Sequence, residues 1–400
     1  MHLSFQPVYN KLSLLSLTAA KKKAPPKYVL NILSALGSAG HEAVLAGGCV
    51  RDSLLGRRPS DWDAATSAMP EEVLALFPRC VPTGIKHGTV TVLAPGGKVE
   101  VTTFRAEGAY SDHRRPDRVA FGCPLEADLA RRDLTVNAMA MDAAGHVTDP
   151  FGGRADLERG LLRCVGEPER RFDEDALRML RTIRFSAQLG FEIEPRTLEA
   201  VREFAPLAAS LSAERVRDEL VKTLRSPRPD VVWQLVDFRL LDAFLSSGEA
   251  SAERPALSPA PKYARLARFC LALELGGYIM STSSLLTALR FDSAAVRTTA
   301  SAVEILRSGR RDWKRLLRDY GEPAVLAAHP KNRALREVLR SGECWALHDL
   351  AIGGAELKQL GYSGPELGRE LDRLLDHVID HPADNRADIL CKLAERKVMG

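Results

Sequence analysis

Asp61 and Asp63 flank Trp62. On a β-strand alternate residues share a face, so both carboxylates would project together with Trp62 on the other side. Two carboxylates on one edge can hold magnesium ions for phosphoryl or nucleotidyl transfer. Alone, the D-x-D pattern is short enough to arise on any solvated strand. Fourteen residues before Asp61 lies Gly47-Gly48, followed by Arg51 and Asp52. Paired glycines let a backbone approach phosphate oxygens, and a helix starting there offers free N–H groups. Arg51 could add a bidentate phosphate clamp. The same glycines would also serve a plain strand-to-helix turn. Glu100, between Val99 and Val101, has two readings. It belongs to a solvated strand face, or, if its strand neighbours the D-x-D strand, it completes a carboxylate cluster and helps deprotonate an attacking hydroxyl.

The elements that must position these groups follow from periodicity. Val29, Ile32, Leu33 and Leu36 recur at helical spacing and predict a helix over 28–39. A short apolar strand over 43–46 runs into Gly47-Gly48, and a second strand should contain Asp61-Trp62-Asp63. Pro70 is well placed to open a helix reaching Phe77. Residues 88–93 and 98–104 alternate and read as paired strands around Pro95-Gly96-Gly97. Residues 28–150 thus predict a mixed α/β domain. Beyond Asp149-Pro150 the pattern is helical throughout. Phe172 to Leu189 reads as one helix stopped by Gly190, and the Ser-, Ala- and Pro-rich stretch 246–261 as a linker. Later helices should break near Ser308-Gly309, at Gly321 and between Gly361 and Gly368.

Four hundred residues exceed one compact core, so several domains or subdomains are expected. At 45% hydrophobic and 27% charged residues, the composition is that of an ordinary globular protein. Residues 1–140 hold 17 Lys and Arg against 13 Asp and Glu, and the remainder is balanced at 39 against 39. The net +4 therefore sits in the N-terminal third, and any nucleic-acid surface must be argued from local patches. The seven cysteines are scattered without a C-x-x-C pair, which favours neither zinc nor disulfides and fits a reducing cytoplasm. No apolar run reaches the roughly 18 residues of a membrane span. Residues 1–27 lack acids and Arg, place Lys21-Lys22-Lys23 before Pro25-Pro26, and read as a disordered leader rather than a targeting peptide.

Taken together, Gly47-Gly48-Cys49-Val50-Arg51-Asp52-Ser53-Leu54-Leu55-Gly56 and Asp61-Trp62-Asp63-Ala64-Ala65-Thr66 resemble the signature of class II tRNA nucleotidyltransferases. These are the CCA-adding enzymes, related to bacterial poly(A) polymerases. The likeness continues through Lys86-His87-Gly88-Thr89-Val90, Glu100 to Arg105, Arg131 to Ala140 and Glu174-Asp175-Ala176-Leu177-Arg178. The resemblance implies an α+β protein with a polymerase-β-like nucleotidyltransferase head and an all-helical neck, body and tail. In this sequence the segments would be a leader at 1–27, head at 28–150, neck at 151–225, body at 226–330 and tail at 331–400. It implies template-independent addition of C and A, from CTP and ATP, to the 3′ end of tRNA with release of pyrophosphate. Asp61 and Asp63 would bind Mg²⁺, with Glu100 as a third catalytic group. Gly47, Gly48, Arg51, Arg132, Asn137, Asp175, Arg178 and Arg181 would contact the nucleotide. The partners would be the acceptor arm and elbow of tRNA in the cytoplasm, with neither DNA nor membrane.

Asp175 and Arg178, three apart on the predicted helix, share a face. One reading is an intrahelical ion pair. The other is base selection, the role the resemblance implies. Asp175 only accepts hydrogen bonds and Arg178 only donates them. Cytosine and adenine both place an exocyclic amine beside an acceptor, whereas uracil and guanine present a carbonyl there. Such a pair would accept C and A and reject U and G. The polar stretch 106–122 matches a loop that, in the resembled enzymes, assists the change from C to A addition. Arg307, Arg310, Arg311, Lys314, Arg315 and Arg318 recur near helical spacing beside Trp313, either as a solvated face or as an RNA phosphate contact. Residues 361–368 resemble the family's tail, near the tRNA elbow. An enzyme adding only the terminal A, a poly(A) polymerase and a catalytically idle RNA-binding protein stand as alternatives.

Overall fold

The computed structural model describes residues 24–108, 119–246, 248, 254–257 and 260–398. Most of the leader, the centre of the 106–122 loop and much of the 246–261 linker lie outside the described residues. The chain divides into two compact units, Met1–Ala243 and Phe244–Gly400. That boundary falls within the segment expected as the body.

In the first unit α1 (Lys27–Ser38) buries the four apolar residues that announced it. It leads through β1 (Ala43–Ala46), α2 (Gly48–Leu54), β2 (Asp63–Thr66) and α3 (Pro70–Leu76) to β3 (Cys80–Gly84), β4 (Thr89–Ala94) and β5 (Gly97–Thr103). A hairpin of β6 (Arg105–Glu107) and β7 (Val119–Phe121) precedes α4 (Leu125–Ala130), β8 (Ala140–Met141) and β9 (Val147–Thr148). Seven strands form one sheet in the order β3-β4-β5-β2-β1-β8-β9. Every pairing in it is antiparallel except β2 with β5, which is parallel. Alternation on β5 buries Val99 and Val101 and leaves Glu100 exposed. The opposite face packs Val44, Ala46, Ala65 and Phe104 against Leu125 and Leu129 of α4.

The rest of this unit is mostly helical: α5 (Gly153–Arg159), α6 (Pro168–Glu174), α7 (Leu177–Leu189), α8 (Pro195–Glu203), α9 (Ala213–Leu224) and α10 (Trp233–Asp237). Two features depart from expectation. A two-stranded parallel pair, β10 (Leu161–Leu162) with β11 (Glu192–Ile193), interrupts the helices. The helix expected over Phe172–Leu189 is two helices, because Asp175 leaves the helical region at φ −147°, ψ 103°. Its Oδ1 accepts from the Leu177 N–H at 3.1 Å, a local bond of the kind that competes with helix continuation. Gly190, left-handed at φ 78°, ends α7 as expected.

The second unit comprises α11 (Lys262–Leu275), α12 (Thr282–Ala288), α13 (Ser293–Ser308), α14 (Trp313–Ala328), α15 (Arg333–Ser341), α16 (Gly354–Gln359), α17 (Gly364–Asp380) and α18 (Ala387–Val398). Ser281, Asp292 and Asn332 cap α12, α13 and α15 by accepting N–H bonds of 2.8–3.1 Å. The breaks expected at Gly309 and Gly321 are present, and Gly321 kinks α14. The break expected between Gly361 and Gly368 is present too, ending before α17, which contains Gly368. Leu357, Leu374, Leu375, Val378 and Leu390 form the core around α16–α18. No described helix is long and apolar enough to cross a membrane.

Candidate active site

The parallel pairing of β2 with β5 sets Asp63 directly opposite Glu100. The strand starts at Asp63 rather than Asp61, so Asp61 sits in the bend before it, with its Oδ2 accepting from Ser60 Oγ at 3.0 Å. Even so, the ladder reaches one residue further: Glu100 N–H donates to the Trp62 carbonyl at 3.1 Å. Trp62 is 7% exposed and anchors the bend in the core. Asp61, Asp63 and Glu100 then converge on one cleft. Burial first, and Glu100's charge second, push the Asp63 carboxyl up to about 6 against a pull from Arg132, with Asp61 adding to the rise. A carboxylate crowded by two others is a group that gains from a cation. Among the described residues no compact group of three His, Cys, Asp or Glu occurs. The protein would thus supply only part of a coordination shell. Oxygen-only donors with substrate phosphates completing the shell fit Mg²⁺.

Gly47 and Gly48 form the turn from β1 into α2 and line the same cleft. Gly47 has φ 80°, and a Cβ there would stand 2.5 Å from Arg132 Nη1. The backbone conformation therefore calls for glycine, and a side chain there would displace the guanidinium. Arg132 is held by Asp128, Nη2 donating at 3.1 Å, while among the described residues its buried Nε has no protein acceptor. Burial opposes Asp128's charge, but Arg131 and Arg132 outweigh it and hold the carboxyl below the ordinary range.

Arg51 is buried rather than free to reach out. Its Nη1 donates to Asn137 Oδ1 at 2.6 Å and its Nε to Asp52 at 2.9 Å. Asn137 Nδ2 donates to Asp133 at 3.0 Å, and Arg181 Nε donates to the other Asp133 oxygen at 2.7 Å. Burial opposes the Asp133 charge, yet Arg181 and the hydrogen bond from Asn137 hold its carboxyl well below the usual range. This chain of bonds ties α2, the 3₁₀ turn Thr135–Asn137 and α7 into one wall. The ring of Phe185 lies 3.9 Å from Arg184, 5.1 Å from Arg51 and 5.4 Å from Arg181.

Asp175 and Arg178 both line the cleft, but not as partners on one helical face. Asp175 precedes α7 and accepts from Arg215 Nη2 at 2.7 and 3.1 Å. Arg178, 7% exposed, donates to Glu174 at 2.6 Å and to the carbonyls of Arg171 and Arg131. The intrahelical Asp175–Arg178 ion pair is therefore absent. Glu174, the last residue of α6, takes Arg178 across the break between the two helices. Glu174, Arg215, Asp128 and Asp133 went unread in the sequence. The i+4 rule could have found Glu174, whereas nothing local connects Arg215 to Asp175.

The cleft has a volume of about 1390 Å³ and is lined by twelve Lys and Arg against six Asp and Glu. It exceeds the roughly 300–1,000 Å³ of a small-molecule site, leaving room for a nucleotide and a nucleic-acid end together.

Residues 43–163 match the family model of the poly A polymerase head domain, and residues 190–250 that of the "probable RNA and SrmB- binding site of polymerase A". A CCA-adding enzyme of Levilactobacillus brevis is 38% identical over 364 residues, covering 84% of this chain and 89% of that protein. The chain belongs to the CCA-adding enzyme family. The family member of Geobacillus stearothermophilus is 50% identical over 205 residues, and that match covers 51% of each protein. The aligned part thus spans about half the length of the first relatives it matches. Among solved structures of the family, that of the Bacillus stearothermophilus enzyme in complex with CTP superposes with a TM-score of 0.79 at 32% identity, covering 94% of this chain and 98% of that one.

Proposed function

We propose that this chain adds C and A to the 3′ end of tRNA without a template. The 3′-hydroxyl attacks the α-phosphate of CTP or ATP and pyrophosphate leaves. One observation carries this reading: Asp61, Asp63 and Glu100 line a single cation-rich cleft together with Asp175 and Arg178. CCA addition by the relatives the chain matches supports it.

Asp61 and Asp63 would hold the divalent cation, Mg²⁺, which when bound neutralises phosphoryl charge and acts as a Lewis acid. Glu100, opposite Asp63, is placed to accept the proton of the attacking hydroxyl. Arg132, with a buried donor free of any protein acceptor among the described residues, faces the triphosphate beside Gly47-Gly48. Arg51, Asn137 and Arg181 hold that wall in shape through Asp133. Asp175 accepts from the exocyclic amine of C or A, and Arg178 donates to the neighbouring ring nitrogen. Arg215 and Glu174 fix the two before any base arrives, so selection rests on a preformed edge rather than on a template strand. Preorganisation of this kind supplies much of the acceleration in phosphoryl transfer. Like tRNA itself, the activity would be cytoplasmic.

The test is incorporation of labelled CTP or ATP, with Mg²⁺, into tRNA lacking CCA and into tRNA ending in CC. Both C and A on the first substrate is the expected result. A on the second substrate alone would establish the A-adding reading instead, and no incorporation into either would remove the enzymatic one.

A further inference from the structure

The basic run on and before α14 is largely spent on acids. Arg307 pairs with Glu274, Arg310 with Asp312 at 2.8 Å, Lys314 with Glu343, Arg315 with Asp380 at 2.7 Å, and Arg318 with Asp376 and with Asp319 at 2.9 Å. Arg311 differs. Among the described residues it has no carboxylate partner. Its Nη1 donates to His329 Nε2 at 2.9 Å, and its guanidinium lies 5.7 Å from the Trp313 ring. The Trp313 ring in turn meets His329 edge-on at 5.2 Å.

His329 borders a cavity of about 270 Å³ whose wall also carries Arg268, Lys331 and Asn332. Neither Arg268 nor Lys331 has an acidic partner among the described residues. A cavity of that size holds a phosphate group and several waters, each water needing about 30 Å³. Burial, then Arg311 and Arg268, push the His329 pKa down, so the ring stays neutral and accepts the Arg311 bond. Among the described residues no carboxylate lines this pocket. The last carbonyls of α14 stand at the same wall, but a helix C-terminus is worth only about half a negative charge. The start of α15, capped by Asn332, offsets it. Arg268 and Lys331 on the wall, with Arg311 behind His329, therefore leave a positive excess.

We propose that this pocket is a phosphate-binding site for the RNA backbone, through which the second unit grips tRNA away from the reacting end. This inference rests on the tRNA reading above. The grip comes from Arg268, Lys331 and Arg311 rather than from the acid-paired run between Arg315 and Arg318.

The decisive measurement is tRNA binding by the full chain across a salt series, alongside nucleotide addition. The variant Arg268→Gln/Arg311→Gln/Lys331→Gln should weaken binding about tenfold and lower the slope of log K against log salt by about 2. Its kcat at saturating tRNA and its KM for CTP should be unchanged. Arg268→Lys, which keeps the charge, should bind like the parent. Arg315→Gln/Arg318→Gln should change the slope by much less. An unchanged slope in the triple variant, or a larger loss in Arg315→Gln/Arg318→Gln, overturns the pocket while leaving the catalytic reading intact. A parent protein that neither binds nor extends tRNA overturns both. Thermal melts of each variant separate lost binding from lost folding.

Discussion

At Asp63 the fold holds a carboxylate where burial and Glu100 both oppose its charge. The proton is bound more tightly in the folded state than in the unfolded one. That stabilisation is full below the unfolded value of 3.8 and is lost as pH rises through about 6. At pH 8 the ionised group therefore costs stability, and Asp63→Asn should raise the Tm of the metal-free protein by a few degrees. The gain should shrink toward pH 5, and a melting series over that range checks the sign. The same substitution, like Asp61→Ala, should lower turnover on the order of 10³-fold, since cation stabilisation is worth several kcal/mol. Binding of tRNA should survive in filter assays. Arg178→Ala should instead erode discrimination between CTP and UTP. A buried mispairing is worth about 1–3 kcal/mol, so the ratio of kcat/KM values should fall roughly 5- to 150-fold. An unchanged ratio would remove Arg178 from base selection. The carboxylates were legible in the sequence as a D-x-D after Gly47-Gly48, although Asp61 reaches the cleft from a bend and only Asp63 from the strand. Their convergence was not, because β2 and β5 meet only through a crossover of three intervening elements.

Among the elements, α7 brings Arg178, Arg181, Arg184 and Phe185 to the cleft, and its attachment to α9 is ionic as well as apolar. Arg184 donates to Glu219, both buried. Removing one partner of such a pair strands the other charge. Glu219→Leu should destabilise the protein by about 3–5 kcal/mol. Arg184→Met added to it should recover much of the loss. Urea unfolding of the single and double variants measures both terms. The helix break at Asp175 shows where periodicity misleads: apolar spacing runs straight through Glu174 to Leu177, so a single helix is the natural reading. The competing bond from Asp175 to the Leu177 N–H is visible only in three dimensions. Arg215 was invisible for another reason, being 40 residues away from its partner in a different helix.

On the scale of the whole molecule, the labour under the proposed function is divided between the two units. CTP with Mg²⁺ should slow amide hydrogen exchange in α2, β2 and α7 and leave α14–α17 unchanged, whereas tRNA should protect both sets. Protection of α14–α17 by CTP alone would contradict this division. The α/β head and helical remainder followed from the change in periodicity near Asp149. The fate of Arg315 and Arg318 did not, because their acids on α17, Asp380 and Asp376, arrive some 60 residues later. The excess of cations in the catalytic cleft, twelve against six, also has a consequence for how the protein behaves in company. Any compact polyanion becomes a competitor: heparin, polyphosphate and the expelled pyrophosphate would all crowd the same wall. Turnover in a cell would then track how quickly pyrophosphate is hydrolysed by other enzymes. On the bench, unwashed preparations should carry nucleic-acid fragments, seen as a raised ultraviolet absorbance ratio that high salt removes.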